Sequence, residues 1–292
     1  MNDIEFTKDN ILIFDGAMGT MLLKNGLSWS EGLERFNIEK PHIIREIHEE
    51  YIKSGAMVIT TNTFGANELN IKDIGYSVEE IIDTALNIAK DAIGHRSIHI
   101  ALDIGPIREL LEPKGNLSIY RAYEIFKRQV IQGEKSGAGL ILIETMTDLN
   151  EAKVALKAAK ENTKLPVFCT MHFDKTGNTL AGDTPERMAK ELGELGADAI
   201  GINCVYGKEY LLPMVKRIKA VTNLPIIIQP NAGIPTLSKG KAIYEITAKE
   251  FSYLANELVG EGVSIIGGCC GTTPEFIKEL RRIVENNKLK TI

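Results

Sequence analysis

The feature that most constrains this chain is a pattern repeated eight times. A short aliphatic run ends in a polar or glycine-containing turn, and a longer amphipathic segment follows. The runs fall at about 11–14, 57–61, 98–102, 140–143, 167–171, 199–202, 225–228 and 263–266. They are near-continuously apolar and lack two-residue alternation, as expected of parallel strands buried on both faces. Their starts lie roughly 30–45 residues apart, the spacing of strand–helix units. The intervening segments read as helices. Ile43, Ile44, Ile47, Tyr51 and Ile52 share one helical face, and Ser54-Gly55 then supplies a stop. Ser77 with Glu80, and Thr247 with Glu250, have the spacing of capping boxes, in which side chains satisfy a helix's first free N–H groups. Thr184-Pro185 and Thr273-Pro274 place a cap residue before a proline whose missing N–H does no harm there. Eight such units with nothing left over predict a single (β/α)8 TIM barrel forming one domain over residues 1–292. A doubly wound open sheet is the runner-up.

The length of 292 residues fits this reading, since one barrel takes about 250. A chain of this size buries enough surface to need no disulfide staples. Its net charge of −5 and lack of a basic cluster argue against nucleic acid and anionic membrane as partners. No apolar run reaches the roughly 18 residues of a membrane span. The first ten residues carry Asp3, Glu5 and Asp9 and no basic segment, so no signal peptide is predicted and the expected location is the cytoplasm. In that compartment the four cysteines stay reduced, and clustered ones serve metals or catalysis sooner than cross-links.

In a barrel the active site lies at the C-terminal ends of the strands. Three of the four cysteines fall there: Cys204 after the sixth run, and Cys269 and Cys270 after the eighth. Gly267, Gly268 and Gly271 permit the tight turn that would let adjacent cysteines share one ion. The sixth and eighth strands of a barrel are two apart, so Cys204 is within reach of the same point. Three thiolates with a fourth position free describe a catalytic Zn²⁺ site, and soft sulfur ligands disfavour magnesium and calcium. A substrate thiol entering the fourth position would be held as a thiolate, a nucleophile for alkyl transfer to sulfur. A redox-active disulfide between Cys269 and Cys270 is the rival reading. Cys169 sits inside the fifth run and is expected to pack in the core.

The other strand ends suit an amino-acid substrate. Gly16, Ala17 and Gly19 could offer backbone N–H groups to a carboxylate, and Asp15 and Glu144 could receive an ammonium group. Asn62, Thr63 and Asn67 fit substrate contact or turn formation equally, and His172 reads as a hydrogen-bonded rim residue. A lyase or aldolase using Glu144 or His172 as base is a competing enzyme reading. The strand ends offer no Schiff-base lysine for it.

The runs FDGAMGT (14–20), TNTFGAN (61–67), ET (144–145), GINC (201–204) and GGCCGTTPE (267–275) resemble the homocysteine S-methyltransferase family. Within it they look most like the homocysteine-binding domain of cobalamin-dependent methionine synthase. The resemblance spans essentially the whole chain. It implies a (β/α)8 barrel, zinc on Cys204, Cys269 and Cys270, and L-homocysteine held by its amino-acid end at Asp15, Gly16, Ala17 and Glu144. It further implies methyl transfer to the homocysteine thiol, forming L-methionine. Methylcobalamin would be the donor, carried by a corrinoid protein or a cobalamin-binding domain. S-methylmethionine, S-adenosylmethionine or betaine is the donor in other members. No folate or corrinoid site can be assigned within these residues, so a separate corrinoid protein, an excised domain or a direct sulfonium user are all consistent. The non-enzymatic alternative is a zinc-stabilised module that binds a corrinoid protein.

Overall fold

A computed structural model describes residues 11–28, 31–238 and 241–290. The strands are β1 (Leu12–Ile13), β2 (Val58–Thr60), β3 (His99–Ile104), β4 (Leu140–Met146), β5 (Val167–Met171), β6 (Ala199–Asn203), β7 (Ile226–Gln229), β8 (Thr236–Ser238), β9 (Lys241–Ile243) and β10 (Ile265–Ile266). The helices are α1 (Met18–Lys24), α2 (Phe36–Glu39), α3 (Pro41–Lys53), α4 (Val78–Ile93), α5 (Ile119–Lys135), α6 (Leu149–Asn162), α7 (Pro185–Glu194), α8 (Lys208–Lys219), α9 (Ala248–Gly260) and α10 (Pro274–Lys290). Eight strands pair in parallel in the order β1-β10-β7-β6-β5-β4-β3-β2. A parallel bridge between Phe14 and Val58 joins the two ends of that order. The closed sheet with alternating helices is a (β/α)8 barrel, and the open doubly wound alternative falls away. All eight predicted strands are present.

Two hydrophobic clusters explain why the runs lack alternation. Leu12, Phe14, Val58, Ala101, Leu140, Leu142, Phe168, Ala199, Ile227 and Ile265 draw on all eight barrel strands and fill the interior. The Phe14 and Phe168 rings meet there with centroids 6.0 Å apart. The intervening strand residues, such as Ile13, Ile59, Leu102, Ile141, Ile143, Ile200 and Ile228, pack outward against the helices in a second cluster. Both faces therefore demand apolar side chains.

The helix signals hold. Ile44, Ile47, Tyr51 and Ile52 are buried on α3, and Ile43 is half-buried against the core. Both capping boxes form, at Ser77–Glu80 and Thr247–Glu250. The Thr184 side chain accepts from the Arg187 N–H, with Pro185 following it in the first turn. One feature went unread. The segment between β7 and α9 carries an antiparallel hairpin, β8–β9. Its three-residue strands were too short to stand out as apolar runs.

Candidate metal centre

The interior period of two continues past the apolar layer. Thr60, Asp103, Glu144, Thr170, Gln229 and Gly267 follow the inward residues of their strands by two positions, and Asn203 follows Ala199 by four, with Gly201 between them. The top of the barrel therefore changes from hydrocarbon to polar groups.

Above this layer Cys204, Cys269 and Cys270 converge. Their sulfurs all lie within 4.8 Å of one another, and the Cys204 and Cys270 sulfurs are 3.8 Å apart. Four sulfurs about 2.3 Å from a tetrahedral zinc ion are separated by roughly 3.8 Å, so the spacing suits that metal. The backbone holds the sulfurs in place. Cys204 N–H donates to Gln229 O at 3.1 Å, Cys269 N–H to Pro230 O at 2.8 Å, and Ala232 N–H to Cys270 O at 2.9 Å. The segment after β7, the strand between β6 and β10, thus braces both cysteine loops. Asn231 Nδ2 also donates to Cys204 O at 3.1 Å.

Cys204 has a φ of 59° and Thr145 a φ of 58°. Side-chain-bearing residues adopt this left-handed region at a cost, and such strain gathers at functional sites. Gly268 answers to close approach instead, and Gly271 to both, since its φ is 84°. A Cβ at 268 would lie 2.4 Å from Thr272 Oγ1, and one at 271 would lie 2.3 Å from the Tyr244 ring. The three thiols share charge unequally. Hydrogen bonds with Cys204 and Cys269 push Cys270 down to about 3, while the same network drives Cys269 well above its ordinary value. A divalent cation is what would let all three ionise together. All four cysteines are free thiols in this structure.

Asn203 organises the floor beneath the sulfurs. Its Nδ2 donates to Thr145 Oγ1 at 2.7 Å and to Glu144 Oε2 at 3.2 Å, and lies 3.8 Å from Cys269 Sγ. Its Oδ1 accepts from Thr145 N–H and Thr170 Oγ1, each at 2.9 Å. Burial raises the Glu144 carboxyl to about 8, helped by the charge of Cys270. Asp15 is buried and takes Thr60 N–H and Thr60 Oγ1, each at 2.8 Å. Burial lifts it to about 7 against those hydrogen bonds.

The remaining predicted residues fall into place unevenly. Ala17 N–H donates to Thr272 Oγ1 at 3.2 Å, so it is already engaged. Gly16 lies beside it, where a Cβ would come 2.7 Å from the same oxygen. Asn62 Nδ2 donates to Leu33 O at 2.8 Å and Asn37 Oδ1 at 3.2 Å, which gives its amide a wall-building job. Thr63 Oγ1 donates to Asp103 O at 2.7 Å, and Asn67 Oδ1 accepts from Leu69 and Asn70 N–H, so both shape the turn. His172 Nδ1 pairs with Cys204 O at 3.2 Å, as a rim residue would. Cys169 is buried in the outer cluster, away from the barrel interior, and burial pushes it up to about 12. The parts that Asn203, Thr272, Tyr51 and Tyr244 play at the site escaped the sequence reading, which placed Tyr51 only on a helical face. Asn203 stands two positions beyond Gly201 on the same strand face, a signal the faces of β6 could have supplied.

A family model described as homocysteine S-methyltransferase matches residues 12–284. This chain belongs to the homocysteine S-methyltransferase family. It is therefore grouped with methyltransferases. It is 29% identical to methionine synthase of Mycobacterium tuberculosis (strain ATCC 25618 / H37Rv) over 98% of its own length and 25% of that protein's. It is 28% identical to methionine synthase of Mycobacterium leprae (strain TN), with 96% and 25% covered. The chain thus spans about a quarter of the curated relatives it matches. The metallated form of the homocysteine methyltransferase MmuM from Escherichia coli shares the fold. Its TM-score is 0.78 at 21% identity, with 94% of this chain and 96% of that one covered. Among the described residues no helix is long and apolar enough to cross a membrane.

Proposed function

We propose that residues 1–292 act as one homocysteine-binding barrel domain that transfers a methyl group to the thiol of L-homocysteine, forming L-methionine. Three sulfurs converging at the spacing of a tetrahedral metal is the observation that carries this reading. Cys204, Cys269 and Cys270 would hold Zn²⁺, which when bound supplies a Lewis acid that keeps the substrate sulfur as thiolate at neutral pH.

The chain's own groups do the rest. The three sulfurs would fill three positions on the metal, leaving its fourth for a substrate sulfur. Glu144, steadied by Asn203, stands next to the sulfurs and faces inward, placed for the substrate's ammonium group. Asp15 flanks the same space. The backbone at Gly16 is the local candidate for the substrate carboxylate, while Ala17 and Asn62 set the wall. Protein groups need not shuttle a proton during transfer, because a thiol bound to the metal would already have given its proton to solvent. Methylcobalamin on a corrinoid protein or cobalamin-binding domain is the donor that the resemblance to methionine synthase implies. A site built from three thiols needs them reduced, which suits the cytoplasm as its location.

The test offers zinc-loaded protein L-homocysteine with methylcobalamin, S-methylmethionine, S-adenosylmethionine or betaine in parallel and measures methionine. Methionine from methylcobalamin is the expected result. Turnover with a sulfonium compound alone would replace the donor assignment. X-ray absorption should gain a fourth sulfur on adding homocysteine, and an unchanged metal shell would sink the methyltransferase reading.

A further inference from the structure

β4 carries one residue more than its neighbour needs. It pairs with β5 as far as Ile143 against Cys169, and pairing resumes with Met146 against Met171. Glu144 and Thr145 therefore stand opposite Thr170 alone, which makes a bulge. A bulge bends its strand and re-aims a side chain. Thr145 takes up the bend with a φ of 58°, a conformation that a β-branched residue adopts at a cost.

What holds Thr145 there comes from β6, two strands away. Asn203 Oδ1 accepts from the Thr145 N–H at 2.9 Å, and Asn203 Nδ2 donates to Thr145 Oγ1 at 2.7 Å. One amide thus grips the strained residue by its backbone and its side chain. Thr170 Oγ1, opposite the bulge, donates to the same Oδ1 at 2.9 Å and fixes which way the amide faces. Asn203 is 0% exposed, so water does not stand in for these bonds. The same Nδ2 lies 3.2 Å from Glu144 Oε2 and 3.8 Å from Cys269 Sγ. Glu144 and one of the three sulfurs are therefore referenced to a single rigid group.

We propose that Asn203 is a positioning residue: by clamping the β4 bulge it fixes the distance of Glu144 from the metal, so that the site selects the length of an aminothiol's carbon chain. The inference rests on the reading of Cys204, Cys269 and Cys270 as holding the substrate sulfur's metal and Glu144 as receiving its ammonium group. In L-homocysteine three carbons separate sulfur from nitrogen, and in L-cysteine two. Two anchors held at a set spacing admit one of these and leave the other short of its second contact.

The test titrates L-homocysteine, L-cysteine and 4-mercaptobutanoate, which lacks an amino group, into zinc-loaded wild type, Asn203→Ala and the double variant Asn203→Ala/Thr145→Gly. Calorimetry gives affinities, metal analysis gives zinc content, and thermal unfolding reports the fold. Wild type should prefer L-homocysteine to L-cysteine by about tenfold or more, the scale of discrimination that one methylene commands. In Asn203→Ala, L-homocysteine should bind about tenfold more weakly, while L-cysteine and 4-mercaptobutanoate change less than about twofold, so the preference collapses. Zinc content should be unchanged. The double variant should regain about threefold or more of the lost homocysteine affinity, because glycine adopts a positive φ without a clamp. Asn203→Ser gives the same comparison should the alanine variant fold poorly. Equal weakening of all three ligands would mean a merely structural role and overturn the proposal. Loss of zinc from the single variant, or a double variant no better than the single, would overturn it too. The wild-type titration judges the parent reading separately: no homocysteine binding there would end both.

Discussion

Cys270 sits on a turn whose flexibility is already spent. Its carbonyl is held by Ala232, and Gly271 beyond it packs against Tyr244. Replacing Cys270 by Ala removes one sulfur without disturbing those contacts. The variant should lose most bound metal and all methyl transfer while keeping its far-UV circular dichroism. Full activity in metal-free Cys270→Ala protein would defeat the metal assignment. Glu144→Gln should bind homocysteine about tenfold or more weakly, with metal content intact; titration calorimetry on the zinc-loaded variant checks this. The cysteines were readable because sulfur at strand ends, flanked by glycines, has few structural uses in a reducing compartment. Asn203 was not, although it touches Glu144, Thr145, Thr170 and Cys269. A strand buried on both faces shows no alternation, so the inward row that ends in Asn203 left no mark on its apolar run.

At the level of elements, α3 ties together the two loops that bear the site. The Tyr51 hydroxyl on its inner face reaches Ala17 O at 3.2 Å and Thr272 O at 3.3 Å. One loop follows β1 and the other follows β10. Tyr51→Phe would leave those carbonyls without their shared donor. It should cost about 1–2 kcal/mol in urea unfolding, with metal binding preserved. A loss of metal without a loss of stability would contradict this role. The sequence placed Tyr51 on the buried face of α3 correctly, but a helical face says nothing about what a hydroxyl at its end will meet. The β8–β9 hairpin escaped for a related reason. Its strands pair with each other and stand outside the barrel sheet, so no long apolar run announces them.

At the scale of the whole molecule, a buried histidine is a liability in acid. His48 on α3 is completely buried, both ring nitrogens lack partners, and burial drives its pKa down to about 4. In the unfolded chain a histidine takes up a proton near pH 6.5. Between that value and about 4 the unfolded state binds the extra proton, so this contribution to stability is complete above pH 6.5 and falls as the pH drops through that window. The loss amounts to on the order of 3 kcal/mol at the acid end. His48→Leu should flatten the decline of Tm between pH 6.5 and 4, and an equally steep decline in the variant would rule His48 out as its source. The global architecture was the most legible level. Eight aliphatic runs at strand–helix spacing specify a barrel through many weak, concordant signals, whereas a site depends on single side chains whose neighbours lie far along the chain.

The order of the strands around the barrel has a consequence for synthesis. β1 lies between β2 and β10, so the first strand made must wait for the last before both of its edges are paired. Cys269 and Cys270 follow that last strand, while Cys204 leaves the ribosome some sixty residues earlier. A nascent chain truncated before β10 holds a single one of the three sulfurs and an unclosed sheet. The proposed metal would thus be captured only by chains translated past residue 270, and its binding would mark closure of the ring.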